Sequence, residues 1–244
     1  MEEVIDRSIG VFDSGIGGLT VLDELKKLLP NESFIYYSDS KNSPYGSKSE
    51  EELYKIVCNI VEKLISLDVK LIVIACNTAT TRCMRRLRVD YPEVIFVGTV
   101  PAIKVACDHD YKNILVMATP STIKSQRTYE LINDNKKYNQ SISLLSCDGL
   151  ASLIEEGDQE KINNRLREIF NDYLDKDIDS IVLGCTHYPL IKDNIREFFK
   201  DVVLIDGSYG VAKEVKRQLE SHDLLSKISK QTIKMIDSGK EDIL

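Results

Sequence analysis

The chain has 244 residues, 43% of them hydrophobic, which is enough to bury one large core or two modest ones. Its 32 basic and 39 acidic side chains give a net charge of -7, which argues against nucleic acid or an anionic membrane as a partner because both favour a basic protein face. Residues 1–8 contain no apolar segment typical of an export signal, and no apolar run is long enough to cross a bilayer. We therefore expect a cytoplasmic protein.

Short apolar runs alternate with segments of helical spacing along the chain. We predict strands over residues 9–12, 33–38, 94–97, 113–117, 141–146 and 202–206, over the two apolar runs that precede Cys76 and Cys185, and as a small edge strand over 231–236. We predict helices over residues 19–29, 49–67, 78–90, 100–107, 123–136, 150–156, 159–175, 190–199 and 209–219. This alternation is typical of α/β proteins, in which helices cover both faces of a mostly parallel sheet.

The pattern restarts after Gly98, which indicates two α/β domains. We expect the last helix to return to the first domain. The predicted domains are therefore residues 1–98 plus 208–244, and residues 99–207.

A glycine-rich turn, Asp13-Ser14-Gly15-Ile16-Gly17-Gly18, follows the first predicted strand. Its glycines do not fit G-x-G-x-x-G, and no Gly-Lys-Ser/Thr follows, so the spacing argues against a nucleotide loop. The backbone N–H groups of such a turn and the N-terminus of the following helix can instead hold a small anion such as a carboxylate. Asp13 lies at the end of the strand, where it is a candidate for acid–base chemistry.

Two apolar runs end in the same way, with a small residue, a cysteine and then polar side chains. The first ends in Ala75-Cys76-Asn77-Thr78 and the second in Gly184-Cys185-Thr186-His187. Ligands of open α/β sheets bind just beyond the carboxyl ends of the strands, so both thiols are expected where chemistry takes place. The N-terminus of a following helix would favour the thiolate form at each position.

The remaining four cysteines are expected to have packing roles, since buried cysteine is a common small core residue. Cys58, Cys83 and Cys107 fall within predicted helices, and Cys147 ends a strand but is followed only by Asp148-Gly149. A cytoplasmic chain keeps its thiols reduced, so no disulfide is expected. Because no Cys-x-x-Cys pair is present, we expect neither a metal site nor a redox dithiol.

Two thiols on opposite sides of a substrate suit racemisation. A racemase removes a proton from one face of a stereocentre and returns one to the other face, so one base begins as a thiolate and its partner as a thiol. Free cysteine has a pKa of about 8.5, so each thiol needs a neighbour that manages its proton. Asp13 and His187 are the candidates; taken alone, His187 would be interpreted as a surface or capping histidine.

Five motifs closely resemble the glutamate racemase family of the aspartate/glutamate racemase superfamily, and the similarity extends from Ile9 to about Leu219. Pro44-Tyr45-Gly46 alone indicates only a turn, whereas the glycine turn and the two cysteine motifs, in this order, are highly specific. The motifs are Asp13-Ser14-Gly15-Ile16-Gly17-Gly18-Leu19-Thr20-Val21, Pro44-Tyr45-Gly46, Ala75-Cys76-Asn77-Thr78-Ala79-Thr80, Ala118-Thr119-Pro120-Ser121-Thr122-Ile123-Lys124-Ser125 and Gly184-Cys185-Thr186-His187-Tyr188-Pro189-Leu190.

The resemblance implies interconversion of L- and D-glutamate without a cofactor, in a cleft between two pseudo-symmetric domains, which supplies D-glutamate for peptidoglycan. It implies that Cys76 and Cys185 are the two bases, that Asp13 supports Cys76, and that His187 with Glu155 supports Cys185. It also makes a homodimer plausible. The substrate-binding residues that it implies are Asp13, Ser14, Pro44, Tyr45, Gly46, Asn77, Thr78, Thr119, Thr122, Thr186 and His187.

The sequence leaves the substrate side chain and the reaction type open. Cys147-Asp148-Gly149-Leu150-Ala151 stands where family members usually have a proline-rich stretch, and Ala118 replaces a common glycine, so specificity for the substrate side chain is not fixed. Aspartate racemase is a possible relative, although the His-Tyr-Pro after the second cysteine fits the glutamate branch better. The same fold is also compatible with a decarboxylase or isomerase that uses one thiol, and with a non-catalytic binding module.

Overall fold

The computed structural model describes residues 7–109, 111–228 and 230–240. The chain forms two compact α/β units, each built around its own parallel sheet. The first comprises the residues up to Thr99 together with those from Ser208 onward, and the second comprises Val100–Gly207. Residues 1–6, 229 and 241–244, which belong to the predicted first domain, lie outside the described ranges.

The first unit contains a five-stranded sheet in the order β4-β3-β1-β2-β9, and every neighbouring pair is parallel. Buried apolar side chains cover both faces of the central strands, which is the usual reason for a continuous apolar run in a parallel sheet. Its elements are β1 (Ile9–Asp13), α1 (Leu19–Leu28), β2 (Phe34–Ser38), α2 (Glu50–Ser66), β3 (Leu71–Ile74), α3 (Asn77–Asp90), β4 (Phe96–Gly98), α10 (Ser208–Ser221) and β9 (Ile233–Asp237).

The second unit contains a four-stranded parallel sheet in the order β6-β5-β7-β8. Its elements are α4 (Ile103–Asp108), β5 (Asn113–Ala118), α5 (Pro120–Ile123), α6 (Gln126–Asn135), β6 (Ser141–Ser146), α7 (Leu150–Glu156), α8 (Gln159–Phe170), β7 (Ser180–Leu183), α9 (Lys192–Phe198) and β8 (Val203–Asp206). Four 3-10 turns complete the described secondary structure, at Ser40–Asn42, Tyr45–Ser47, Asn171–Tyr173 and Tyr188–Ile191.

The two sheets repeat one strand order. The first sheet contains the series β4-β3-β1-β2, and the second reads β8-β7-β5-β6 from its opposite edge. Strands β1 to β4 therefore correspond in order to β5 to β8. The α/β class, with two mostly parallel sheets flanked by helices, is confirmed, and the predicted edge strand near the C-terminus is present as β9 beside β2.

The prediction of one helix over residues 123–136 is wrong. The chain forms α5 and α6, which are separated at Lys124 and Ser125. Ser125 has extended backbone angles, and its side chain accepts a hydrogen bond from the N–H of Thr128, so it begins a new helix. The predicted helix over 190–199 also begins later, because residues Tyr188–Ile191 form a 3-10 turn before α9.

The segment that follows α10 is attached to the amino-terminal ends of the strands through a buried ion pair. Lys70 Nζ lies 2.5 Å from Glu32 Oε2, and the two side chains are 4% and 2% exposed. Lys70 also donates to the carbonyl of Leu224 at 2.8 Å, and Glu32 accepts from the N–H of Ser226 at 2.8 Å. After these contacts the chain continues to the edge of the sheet, where β9 pairs with β2.

The length and apolar character that a membrane crossing requires do not occur together in any helix of the described residues.

Candidate active site

Cys76 lies just beyond the carboxyl end of β3 and is the N-cap residue of the 14-residue helix α3. It is buried, as are Asn77 and Thr78 in the first turn of the helix. The partial positive charge at a helix N-terminus favours a thiolate over a thiol. This junction therefore matches the prediction for the first cysteine.

Asp13 is the last residue of β1, the strand beside β3. Its side chain is fully buried, and one carboxylate oxygen accepts a hydrogen bond from the N–H of Ser14 at 2.8 Å. The glycine turn after Asp13 packs closely on it, since a Cβ added at Gly18 would lie 2.6 Å from the Cβ of Asp13 and 2.7 Å from the hydroxyl of Tyr36. A glycine is therefore needed at position 18 for the turn to close over the carboxylate.

The amides at the start of α1 are used within the turn. The N–H groups of Leu19, Thr20 and Val21 donate to the carbonyls of Ile16, Gly17 and Gly18, each at 3.1 Å. The amide of Ser14 donates to the neighbouring Asp13 carboxylate. These four amides are thus engaged with the protein itself.

Tyr45 begins a 3-10 turn in the loop after β2, and its ring is buried. Its hydroxyl donates to the carboxylate of Asp39 at 2.7 Å. Burial raises the pKa of Tyr45 well above its ordinary value, and the negative charges of Asp39, Cys76 and Asp13 raise it further. The phenol therefore stays protonated, and its electrostatic neighbours include both the thiol and the carboxylate of this site.

Pro44 and Gly46, on either side of Tyr45, are less buried than the tyrosine ring, and the Ser43–Pro44 peptide bond is cis. The first unit thus gathers Asp13, Ser14, Tyr45 and Cys76 at the carboxyl edge of its sheet.

Asp39 was not among the residues singled out from the sequence. It directly follows β2, is 1% exposed, and accepts hydrogen bonds from Tyr45 and from the side-chain amide of Asn42 at 2.9 Å. The signal was available, because Ser38 is in register with Asp13 and the residue after it must lie at the same sheet edge. The turn-forming composition of residues 39–46 predicts only an exposed loop and gives no indication of a buried carboxylate.

Cys185 lies two residues beyond β7, after Gly184. The N–H of Gly184 donates to the carbonyl of Met117 at 2.7 Å, and a Cβ at this position would lie 2.7 Å from that same oxygen, so the backbone requires glycine here. The chain then enters the 3-10 turn Tyr188–Ile191. The expectation that a helix N-terminus follows directly is therefore wrong for Cys185, because Pro189 and its neighbours form this turn before α9 begins.

His187 connects Cys185 to Glu155. Its Nδ1 lies 3.6 Å from the sulfur of Cys185, and its Nε2 lies 2.5 Å from Oε1 of Glu155, which projects from α7. His187 is 3% exposed. A carboxylate that orients an imidazole beside a thiol is an arrangement suited to moving a proton to and from the sulfur.

Thr119 and Thr122 lie just beyond β5, the strand beside β7. Thr119 caps the short helix α5 by accepting from the N–H of Thr122 at 3.3 Å, and its hydroxyl lies 3.1 Å from that of Thr122. Thr186, next to Cys185, is buried. These hydroxyls and the Cys185–His187–Glu155 series occupy the carboxyl edge of the second sheet.

Three of the other four thiols have a raised pKa. Burial raises the pKa of Cys147 and of Cys83 to about 12 in each case, and it also raises the pKa of Cys107. Cys58, Cys83 and Cys107 lie within α2, α3 and α4. Across the described ranges no three His, Cys, Asp or Glu side chains are grouped as metal ligands.

Known proteins resemble this chain in sequence and fold. The signature of the Asp/Glu/hydantoin racemase family matches residues 9–214. A glutamate racemase of Clostridium acetobutylicum is 44% identical over 243 residues, which cover 98% of this chain and 94% of that protein. The crystal structure of glutamate racemase isoform RacE1 of Bacillus anthracis has a TM-score of 0.85 at 29% identity and covers 96% of this chain and 89% of its own.

The structure of the Francisella tularensis glutamate racemase in complex with D-glutamate has a TM-score of 0.83 at 33% identity, over 96% of this chain and 88% of that one. Each α/β unit has a buried thiol beyond the corresponding strand of its sheet. The chain belongs to the Asp/Glu/hydantoin racemase family, and is therefore an isomerase. The resemblance drawn from the motifs is confirmed.

Proposed function

We propose that this protein interconverts L- and D-glutamate without a cofactor, with Cys76 and Cys185 as the two bases. The observation that carries the proposal is the position of the two thiols, each beyond the corresponding central strand of its sheet. The relatives support glutamate as the substrate, since proteins over 40% identical along nearly the whole chain are glutamate racemases and a solved relative holds D-glutamate.

In the proposed reaction, the thiolate of one cysteine removes the α-proton, and the electron pair left on the α-carbon is delocalised into the carboxylate of the substrate. The thiol of the other cysteine donates its proton to the opposite face and becomes a thiolate. The reverse reaction exchanges the two roles. This mechanism requires that both sulfurs reach the same α-carbon, one on each face.

Different groups manage the proton at each sulfur. For Cys76 we assign this role to Asp13 and to the N-terminus of α3. For Cys185 we assign it to His187, which Glu155 orients through the 2.5 Å contact with Nε2. The imidazole accepts the proton when the thiolate forms and returns it when the thiol is needed.

Most of the proposed contacts to substrate are hydroxyls, amides and backbone donors, which can satisfy a zwitterionic amino acid without a dedicated arginine. The residues assigned to binding are Asp13, Ser14, Pro44, Tyr45, Gly46, Asn77, Thr78, Thr119, Thr122, Thr186 and His187.

We further propose that the protein is a cytoplasmic homodimer and that it supplies D-glutamate for peptidoglycan. The proposed domains are residues 1–98 plus 208–244, and residues 99–207. Light scattering during size-exclusion chromatography tests the oligomeric state. A mass near the 27.7 kDa of a single chain would contradict the dimer.

The central experiment incubates the purified protein in heavy water with L-glutamate, and separately with D-glutamate and L-aspartate. Optical rotation and the α-proton signal are followed together. We expect the rotation of both glutamate enantiomers to decay to zero while deuterium enters the α-position. Activity on aspartate alone would change the substrate assignment, exchange without inversion would mean that one thiol works, and no exchange with any amino acid would favour a binding module.

A further inference from the structure

Asp39 is a buried carboxylate with a defined set of hydrogen-bond donors. Its side chain accepts from the hydroxyl of Tyr45 at 2.7 Å and from the amide of Asn42 at 2.9 and 3.1 Å. Its backbone N–H donates to the carbonyl of Asp13 at 2.9 Å. Asp39 therefore contacts both Asp13, at the end of the neighbouring strand, and Tyr45, six residues further along its own loop.

The hydroxyl of Tyr45 is directed by this contact. Since the hydroxyl proton is donated to Asp39, the orientation of the C–O–H group is fixed, and the ring is held in a buried position. The charges of Cys76 and Asp13 both act on this phenol, so a change in its placement changes the surroundings of the first sulfur.

The loop that carries Asp39 is also attached to the C-terminal strand. The hydroxyl of Ser40 donates to Asp237, at the end of β9. The hydroxyl of Ser238 accepts from the N–H of Lys41 at 3.1 Å, and its own N–H donates to the carbonyl of Ser38 at 2.9 Å. Residues on both sides of Asp39 are thus held by the turn after β9.

We propose that Asp39 is a positioning residue for substrate binding, which holds the Tyr45 hydroxyl at the carboxyl edge of the first sheet, and that Ser238 holds the loop from which Asp39 acts. This inference rests on the proposed function, because Tyr45 is assigned there to the substrate. It assigns no proton transfer to Asp39, whose carboxylate faces Tyr45 and Asn42.

The test compares KM and kcat for glutamate in wild type, Asp39→Ala, Asp39→Asn, Tyr45→Phe and the double variant Asp39→Ala/Tyr45→Phe. Asp39→Ala removes the acceptor, and we expect KM to rise tenfold or more while kcat changes less than threefold. Asp39→Asn keeps an acceptor oxygen for Tyr45, so KM should return to within about threefold of wild type. If Asp39 acts through Tyr45, the double variant should be no worse than the poorer single variant.

A matched control is available in the same unit. The hydroxyl of Tyr54 donates to Asp90 at 2.5 Å, between α2 and α3, and neither residue belongs to the proposed site. Asp90→Ala and Tyr54→Phe break the same kind of hydrogen bond, and we expect KM and kcat to stay within twofold of wild type. Thermal unfolding of every variant separates loss of binding from loss of folded protein.

A smaller effect is expected for Ser238→Ala, which removes the acceptor for Lys41 but leaves Asp39 and Tyr45 intact. KM should rise about threefold with kcat unchanged. An unchanged KM in Asp39→Ala would overturn the inference while leaving the proposed function standing. Multiplicative effects in the double variant would also overturn it. A wild-type protein that exchanges no α-proton would refute the proposed function, and the inference with it.

Discussion

The same strand order carries two different cysteine environments. Beyond β3, helix α3 begins at the residue after Cys76, so the sulfur lies at the N-terminus of a 14-residue helix. Beyond β7, the chain forms a 3-10 turn after Cys185, and α9 begins only at Lys192. The helix end favours the thiolate in the first unit, whereas the second unit places an imidazole 3.6 Å from the sulfur.

Asp39 and Cys147, which directly follow β2 and β6, are a second pair of corresponding positions with different chemistry. The N–H of Asp39 donates to the carbonyl of Asp13, and the N–H of Cys147 donates to that of Ala118, both at 2.9 Å. Asp39 is a carboxylate that accepts from Tyr45, whereas burial raises the pKa of Cys147 to about 12 and keeps it a neutral thiol. The repeated backbone therefore fixes where groups lie and leaves their chemistry free to diverge. Each of the following predictions tests that divergence.

The largest effect is expected when either thiol is removed. Cys76→Ala and Cys185→Ala should each lower the rate of racemisation by about 10²- to 10⁴-fold, because one face of the α-carbon then has no proton donor or acceptor. Optical rotation measures the loss. Cys107→Ala, a buried core thiol on α4, should remain within a few-fold of wild type. Racemisation at the wild-type rate in either active-site variant would show that two bases are not needed.

The ion pairs of the two units should differ in their effect on stability. Lys70→Met leaves Glu32 buried without its cation and should lower the free energy of unfolding by about 3–5 kcal/mol, whereas Lys70→Met/Glu32→Leu should recover much of that loss. In the second unit, Lys192 and Asp206 form a pair whose side chains are 33% and 21% exposed, and Lys192→Met should cost about 1 kcal/mol or less. Urea unfolding measures each value. Equal losses for Lys70→Met and Lys192→Met would contradict the ranking.

Kinetic isotope effects distinguish the supports of the two sulfurs. His187→Asn and Asp13→Asn should each lower kcat/KM by about 10²-fold. The loss must be equal in both directions, because the two enantiomers have the same free energy in solution. A variant that slows proton transfer at one sulfur should nevertheless make removal of the α-proton by that sulfur more rate-limiting. We therefore expect the α-deuterium isotope effect to rise for one enantiomer in His187→Asn and for the opposite enantiomer in Asp13→Asn. A rise for the same enantiomer in both variants would refute the separate assignments.

Much of this organisation could be predicted from the sequence, because each apolar run ending in cysteine fixes both a buried strand and the residue at its carboxyl end. The break at Ser125 could not, since the hydroxyl that caps α6 competes locally with a continuous helical pattern. The contact of Asp39 with Tyr45 depends on how a loop of turn-forming residues folds back on its own strand. The Lys70–Glu32 pair depends on a return of the chain from α10, which periodicity does not specify.

The smallest effect is expected at β9. The second sheet has four strands and no equivalent of this fifth strand within the described residues. The hydrogen bond from Ser40 is the main cause that lowers the pKa of Asp237, so the carboxylate is favoured in the folded protein. A group with a lowered folded pKa contributes stability above its unfolded pKa, about 4, and loses it as pH falls through the folded value. Asp237→Asn should therefore be less stable than wild type at pH 7 by less than about 1 kcal/mol, and this difference should be smaller near pH 3 than at pH 7.

Urea unfolding of both proteins at the two pH values isolates this contribution, because the titration of all other groups cancels in the difference. Ser40→Ala should reproduce the same pattern, since it removes the donor instead of the charge. A difference as large near pH 3 as at pH 7 would mean that the Asp237 side chain contributes by packing and not by its charge. In that case the attachment of β9 to the loop of Asp39 would rest on Ser238 and on the backbone pairing with β2 alone.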